Sequence, residues 1–291
     1  MKRLALAILL NGMALAHPLS QSDMDWCKLH CTTIRVGVER DYPPYSFVDE
    51  HGQPSGLSVQ LLKAVAAEAG LSLQWMPPQP LPVLLQQIRR REIDVLTIAR
   101  PTPERAEYLG FTRPYVNVPV VVVVPRISEA DKLEDLSGKR VGIGRGYAVE
   151  SYARQHYPAI DWVITDSDSA SLGMLERRQL DAVVGDTASM SWHLRGHVSS
   201  AQIRSPIGYR YPYALAWRSD WPELGHLLDD AQLRISSEQE REIVQLWLGN
   251  VHTRPWQMQL LPEFIGSGMV LGGIALLLWS RRSSQRKGGS V

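Results

Sequence analysis

The stretch GLSVQLLKAVAAEAGLSLQWMPPQPLPVLLQQIRRREIDVLTIA, residues 56–99, switches its hydrophobic period at each short break, and that switching decides the fold class. Leu57, Leu61, Leu62, Val65 and Ala69 line one stripe of an amphipathic helix, with Ser55 placed to cap its start and Gly70 to end it. LSLQW then reads as a strand, LPVLLQQIRRR as a second helix and DVLTIA as a buried strand. RVGV at 35–38 supplies a strand upstream. The order is strand, helix, strand, helix, strand, the pattern of a parallel sheet covered by helices.

A second series follows. VPVVVVVP (118–125) reads as a fully buried strand and KLEDLSG as a short helical turn. RVGIG is a strand, YAVESYARQHY a helix, WVIT a strand, SASLGMLERRQL a helix and DAVVGD a strand. PYALAWR (212–218) returns as a strand before two last helices. The first of these opens at Asp220 with Pro222 in its first turn, and the second has Ser237 and Glu240 at capping-box spacing. The economical reading is two α/β lobes joined by extended segments near 118–125 and 208–214, with a ligand cleft between them.

The two ends read differently from the body. Met1, Lys2 and Arg3 precede a short apolar run that closes on Ala14 and Ala16, the order of a secretory signal peptide over residues 1–16. FIGSGMVLGGIALLLWS (264–280) carries no charge and is followed by Arg281, Arg282, Arg286 and Lys287. Seventeen residues at ~1.5 Å each approach the ~30 Å core of a bilayer, so this is the expected transmembrane helix. The basic flank puts the 281–291 tail in the cytoplasm and the body outside, as a periplasmic domain anchored in the inner membrane. The net charge of +1 over 291 residues hides an acidic body. Without Lys2, Arg3 and the four tail cations, 25 basic side chains face 30 acidic ones, which offers no field for nucleic acid.

Cofactor and metal signals are weak. GIGRGY (142–147) has Tyr147 where a dinucleotide fingerprint needs its third glycine, so no nucleotide cofactor is expected. Cys27 and Cys31 in WCKLHC are either a disulfide, permitted by export, or free thiols. For zinc, His30 is the only extra ligand nearby and a closed site needs four.

Four segments in order, RVGVERDYPPYSFVDEHGQPSGLSVQLLKAVAAEAG, REIDVLTIARPTPERAEYLGFTRPY, LEDLSGKRVGIGRGYAVESY and LDAVVGD, resemble the family 3 extracellular solute-binding proteins across nearly all of residues 33–250. WCKLHC before the first strand looks like the W-x-x-x-H lead of the subgroup that serves as sensor modules in hybrid histidine kinases and diguanylate cyclases. The resemblance implies a two-lobed periplasmic binding protein of type II, a Venus flytrap. Its first lobe would take 33–119 and 213–250 and its second 120–212, with a lead at 17–32 and a linker at 251–263.

The same resemblance assigns roles. The arginine of T-P-E-R, here Arg105, would clamp a ligand carboxylate with its planar fork of donors, against the plain reading of a solvated residue paired with Glu104 or Glu107. Asp186 would hold an α-ammonium, against a helix cap. Tyr42 matches the aromatic that covers the ligand, Tyr45 stands near it, and the Thr97 hydroxyl serves either the ligand or the local backbone. Three departures bear on the ligand: Arg100 replaces a common serine or threonine, Ala148 a hydroxyl residue, and Leu81 a stacking aromatic. Arg100 either adds a second positive charge that selects a more acidic ligand, or points to solvent or Glu104.

The expected function is therefore capture of an amino-acid-like or carboxylate solute by hinge closure, in a sensor or in an amino-acid transporter. A dehydratase-type enzyme is the rival class, with Glu39, Asp41 and Glu150 as its available acids. Expected partners are the solute, the membrane and a sensor kinase, cyclase or permease. The eleven residues after Ser280 are too few for a kinase or cyclase domain.

Overall fold

The computed structural model of the chain describes residues 19–196 and 200–249. The expected signal peptide, linker, span and tail lie outside the described residues, and among the described residues no helix is long and apolar enough to cross a membrane. What is described is a two-lobed α/β fold.

The lead forms α1 (Gln21–His30), with Ser20 as its cap: the Ser20 hydroxyl accepts from the Asp23 amide. Cys27 and Cys31 are buried on its inner side, both as free thiols. The first lobe then starts on β1 (Ile34–Gly37). A small antiparallel sheet of β2 (Asp41–Tyr42), β3 (Ser46–Val48) and β4 (Pro54–Ser55) follows, and then α2 (Leu57–Ala69). The stripe read from the sequence is the buried face of α2, where Leu57, Leu61, Leu62 and Val65 each contribute roughly 1.5–3 kcal/mol of burial. Ser55 does not cap this helix. Gly56 holds the cap position with φ of 116°, a conformation open to glycine, and a side chain there would strike the Tyr45 carbonyl.

β5 (Leu73–Trp75), α3 (Leu81–Arg89) and β6 (Val95–Ala99) complete the predicted unit, with β1 parallel to both β5 and β6. All five residues of β6 are buried, as expected of a strand covered on both faces. α4 (Pro103–Ala106) and β7 (Leu109–Phe111) lead to β8 (Val116–Pro125), where the chain leaves the first lobe.

The second lobe holds β9 (Arg140–Gly144), α5 (Val149–His156), β10 (Asp161–Thr165), α6 (Asp168–Glu176), β11 (Ala182–Asp186) and α7 (Thr187–Gly196). Its sheet order is β10, β9, β11, β8, parallel except for the antiparallel β11–β8 pair. The return strand is much longer than the predicted 212–218. It is β12 (Ala201–Arg218), which pairs antiparallel with β8 from Ala201↔Pro125 to Tyr213↔Val116 and then with β6 and β7. One strand thus belongs to both lobes. α8 (Pro222–Arg234) and α9 (Ser237–Leu248) close the chain against the first lobe, and α9 is capped by Ser236, one residue before the predicted Ser237.

Because the first lobe is discontinuous in sequence, something must tie its late strand to its early ones. Asp94 does so from a fully buried position. Its carboxylate accepts from Arg35 at 2.9 Å (Nε) and 2.7 Å (Nη2) and from Arg218 Nη1 at 3.3 Å, and Arg218 also forks onto Asp220 at 2.9 and 2.8 Å. Removing Asp94 leaves the Arg35 guanidinium with only the Arg91 carbonyl and Arg218 with only Asp220. Asp94→Ala is expected to cost about 3 kcal/mol in urea unfolding, and Asp220→Ala much less, since Asp220 is half exposed.

Candidate functional site

The segment DVLTIARPTPER carries β6 to the cleft and turns it. Thr102 caps α4, its hydroxyl accepting from the Arg105 amide at 3.2 Å, and Pro103 occupies the first helical position, where its missing N–H costs nothing. This turn aims Arg105 inward. Its side chain is buried, donating to the Arg100 carbonyl at 3.1 Å and, across the cleft, to the Gly146 carbonyl at 2.8 Å. Gly146 has φ of 73°, a left-handed turn that brings this carbonyl to face the first lobe. Glu104, the rival partner, pairs with Arg89 instead at 3.3 Å. Burial, and then the positive charge of Arg100, lowers the Arg105 pKa to about 10.

Arg100 is 3% exposed, so neither the solvated reading nor a pair with Glu104 holds. Its guanidinium lies 3.7 Å from the Tyr211 ring centre, 5.1 Å from Tyr147, 5.2 Å from Tyr213 and 5.9 Å from Tyr42. Ring faces carry partial negative charge, so the four rings partly compensate a cation taken out of water. They do not satisfy its donors. Nε and Nη1 have no hydrogen-bond partner, and the buried hydroxyls of Tyr147 and Tyr211 have none either.

Asp186 ends β11, and its carboxylate is fully buried. Oδ1 accepts from the Ala188 and Ser189 amides at 3.0 Å each and from the Tyr45 hydroxyl at 2.8 Å; Oδ2 accepts from the Tyr42 hydroxyl at 2.5 Å and has the Tyr213 hydroxyl at 3.2 Å. The Tyr42 and Tyr213 hydroxyls also contact each other. Asp186 is thus a cap of α7 and, at once, the acceptor for a group of phenols from the first lobe and from β12. Burial, and then the Asp186 charge, pushes the Tyr42 and Tyr45 pKa values well up, so both hydroxyls stay protonated and donate.

These tyrosines are placed by α2. The first amides of that helix, Leu57 and Ser58, donate to the Pro44 and Tyr45 carbonyls at 2.9 Å each and fix the turn that bears them. Thr97 is buried on β6. Its hydroxyl pairs with that of Ser46 at 3.2 Å, and Ser46 contacts both the amide and the carbonyl of Glu39.

Two carboxyls outside the predicted ligand-binding residues complete the arrangement: Glu39, named above only as an acid available to an enzyme, and Asp168. Glu39 is buried after β1, and burial raises its pKa to about 8, against the opposing charges of Arg100 and Arg105. Asp168, the first residue of α6, is fully buried, and burial and then the neighbouring Asp186 charge raise its pKa to about 7. Ser189 donates to Asp168 Oδ2 at 2.6 Å, and Oδ1 has no partner.

Two cavities flank the cluster. One of about 420 Å³ is lined by Thr102, Arg105, Gly146, Ala148, Tyr152 and Tyr209, and one of about 110 Å³ by Glu39, Asp41, Leu81 and Arg145; Tyr147 borders both. Ala148 and Leu81, the departures in sequence, thus lie on the cavity walls. The lobes meet through Tyr42 and Tyr45 on Asp186, Arg105 on Gly146, and Ser169 donating to Asp41 at 2.5 Å. The cleft is closed. Tyr147, Tyr211, Tyr213 and Asp168 escaped the sequence reading because a tyrosine on a strand or an acid at a helix start is ordinary in isolation.

Over residues 34–250 the chain matches the bacterial extracellular solute-binding proteins, family 3. It is 26% identical over 283 residues to the virulence sensor protein BvgS of Bordetella pertussis, covering 94% of this chain but only 23% of that protein. To the L-arginine-binding protein of Pseudomonas aeruginosa it is 31% identical over 194 residues, 65% of this chain and 71% of that one. A solved histidine kinase sensor domain with similarity to periplasmic binding proteins superposes with a TM-score of 0.70 at 27% identity, covering 75% of this chain and 96% of that chain. The matched residues are those that build both lobes and the cleft between them, and the chain belongs to the bacterial extracellular solute-binding proteins, family 3.

Proposed function

We propose that the chain is a membrane-anchored, extracytoplasmic sensor module that captures a small amino-acid-like or carboxylate solute between its lobes and reports its state through the helix at 264–280. The observation that carries this reading is Arg105, a buried guanidinium that spans the cleft from a first-lobe turn to the Gly146 carbonyl of the second. A solute acid that takes these donors from the Gly146 carbonyl is held by the first lobe at Arg105 and needs a second-lobe donor in place of that link, for which the unpaired Tyr147 hydroxyl is available; a ligand that binds the closed form more tightly shifts the lobe equilibrium by its differential affinity. Likeness to a virulence sensor and to a kinase sensor domain supports signalling. Likeness to an arginine-binding protein supports the second reading, a receptor that delivers its solute to a permease. We read the site as binding rather than catalytic, because Arg105 and Asp186 are each engaged in holding the lobes or their helices. Fractionation of cells expressing the whole chain, or the chain cut after residue 263, tests the anchor: the first is expected in membranes and the second in the soluble periplasmic fraction.

The clamp is tested by thermal shift with panels of amino acids and of mono- and dicarboxylates. A solute bound only by the folded form raises the midpoint by mass action, and Arg105→Ala is expected to abolish that rise at concentrations that saturate the native protein. If the rise is unchanged in Arg105→Ala, the residue is no clamp.

The buried acids predict a pH dependence. Glu39 and Asp168 have folded pKa values of about 8 and about 7, above their ordinary values of 4.5 and 3.8, so the closed fold binds more protons than the unfolded chain in that window. Stability therefore falls as pH rises from about 4 to about 8. The thermal midpoint of the native protein should drop between pH 5 and pH 8, and Glu39→Gln should flatten that slope.

A further inference from the structure

The proposed solute site divides sharply into groups that are used up and groups that are left over. Asp186, the carboxylate that would receive an α-ammonium, has both oxygens engaged. Oδ1 takes two helix amides and the Tyr45 hydroxyl, and Oδ2 takes the Tyr42 hydroxyl with Tyr213 beside it. A solute ammonium would have to evict phenols that themselves anchor one lobe to the other. The aromatic faces are also filled. Four tyrosine rings around one point would make a good receptacle for a cationic side chain, but that point is occupied by the chain's own Arg100.

The leftover donors converge on Arg100; Asp168 Oδ1 is also without a partner, on a carboxyl whose pKa burial raises to about 7. Arg100 is nine-tenths buried or more, and its Nε and Nη1 donors have no acceptor; Tyr147, whose ring centre is 5.1 Å from the same guanidinium and which lines both cavities, has a hydroxyl without a partner. Buried donors without acceptors are rare because each forfeits its hydration. A cationic one also carries a charge that the four rings compensate only in part. A bound anion supplies both the acceptors and the charge. Arg105 is the second cation of the cleft and currently spends its donors on backbone carbonyls, which a carboxylate replaces favourably because a charged acceptor makes the stronger bond.

On these grounds, and resting on the reading of the chain as a solute-capturing module, we infer that the cleft selects a small organic acid without an α-ammonium group, held by Arg100, Tyr147 and Arg105. The neutral carboxyls expected at Glu39 and Asp168 below their raised pKa values agree with this, since an uncharged carboxyl donates to an anion. Zwitterionic amino acids lose because their ammonium finds no free acceptor carboxylate at Asp186. Cationic ones lose again because their side chain finds the tyrosine box occupied.

Calorimetry on the purified full-length chain with matched solutes tests this: succinate against L-aspartate, glutarate against L-glutamate, and L-arginine. The acid lacking the amino group is expected to bind at least tenfold more tightly than its amino-acid partner, with L-arginine the weakest. Arg100→Gln should weaken the dicarboxylate at least tenfold. Tyr147→Phe, which keeps the ring and removes only the unpaired hydroxyl, should weaken it several-fold and guards against a folding defect in the arginine variant. Amino acids that bind as tightly as their des-amino partners, or dicarboxylate affinities unmoved in both variants, overturn the inference and leave solute capture standing. No heat from any of the five solutes overturns the inference as well. Solute capture itself falls only if the wider thermal-shift panels also give no rise.

Discussion

The fold is organised by the burial of one positive and one negative side chain in the same cleft without a direct pair between them. Arg100 and Asp186 come from different lobes, and both are withdrawn from water. Tyr42 and Tyr213 connect them: their hydroxyls meet the Asp186 carboxylate while their rings stand over the Arg100 guanidinium. A phenol is suited to this, since it presents a donor at its tip and a partly negative face on its ring. Desolvating either charge alone is costly. A separation of the lobes would rehydrate both groups and break the tyrosine contacts together, so these contacts act as one cooperative set rather than as a sum of independent ones.

The backbone joins the lobes through β8 and β12. Because β12 pairs with β8 on one side and with β6 and β7 on the other, a bend in it changes the relation of the lobes without unravelling either sheet. The register between β8 and β12 shifts between Ile203 and Pro206 and again between Pro206 and Arg210, and the chain carries Gly208 there at φ of 77°. Irregular pairing of this kind twists and bends a strand. Tyr211 and Tyr213 sit just beyond these shifts, so the residues that form the Arg100 box are displaced by any bend in the strand that carries them.

Much of this architecture was legible in the sequence, for a definite reason. Hydrophobic period and glycine placement are local, and they located α2, β6, β8, β11 and the left-handed end of α2 at Gly70. Helix caps were misplaced by one residue where two hydroxyls or a hydroxyl and a glycine were adjacent, as at Ser55 and Gly56 or Ser236 and Ser237. The N-terminal half of β12 was missed because IRSPIGYRYPY holds two prolines and a glycine, and only its pairing with β8 makes it a strand. For the site, the T-P-E-R turn marked Arg105 and the end of an apolar strand marked Asp186. The Arg100 box was hidden because Tyr42, Tyr147, Tyr211 and Tyr213 converge from segments up to 171 residues apart, as the Tyr42–Tyr213 contact measures.

The last described helix is tied to the second lobe by a second aromatic group, apart from the charged cleft. Trp192 on α7 of the second lobe packs against Phe47 of β3 at 5.7 Å between ring centres and against Trp247 of α9 at 6.5 Å; Phe47 and Trp247 meet edge to face at 5.9 Å. Trp247 is further fixed by its indole N–H, which donates to Gln60 of α2 at 2.8 Å. A separation of the lobes would take Trp192 away from Phe47 and Trp247, which both belong to the first lobe, and uncover one side of Trp247. Ring pairs of this kind add about 0.5–1.5 kcal/mol beyond their buried area, a term small against total stability but comparable with the free energy that separates two lobe states. α9 is the last described element before residue 250, and its Trp247 takes part of its cover from the second lobe through Trp192. The cleft chemistry and the end of the body are linked through two lobe contacts of different kinds, one buried and ionic in character, the other aromatic and partly exposed.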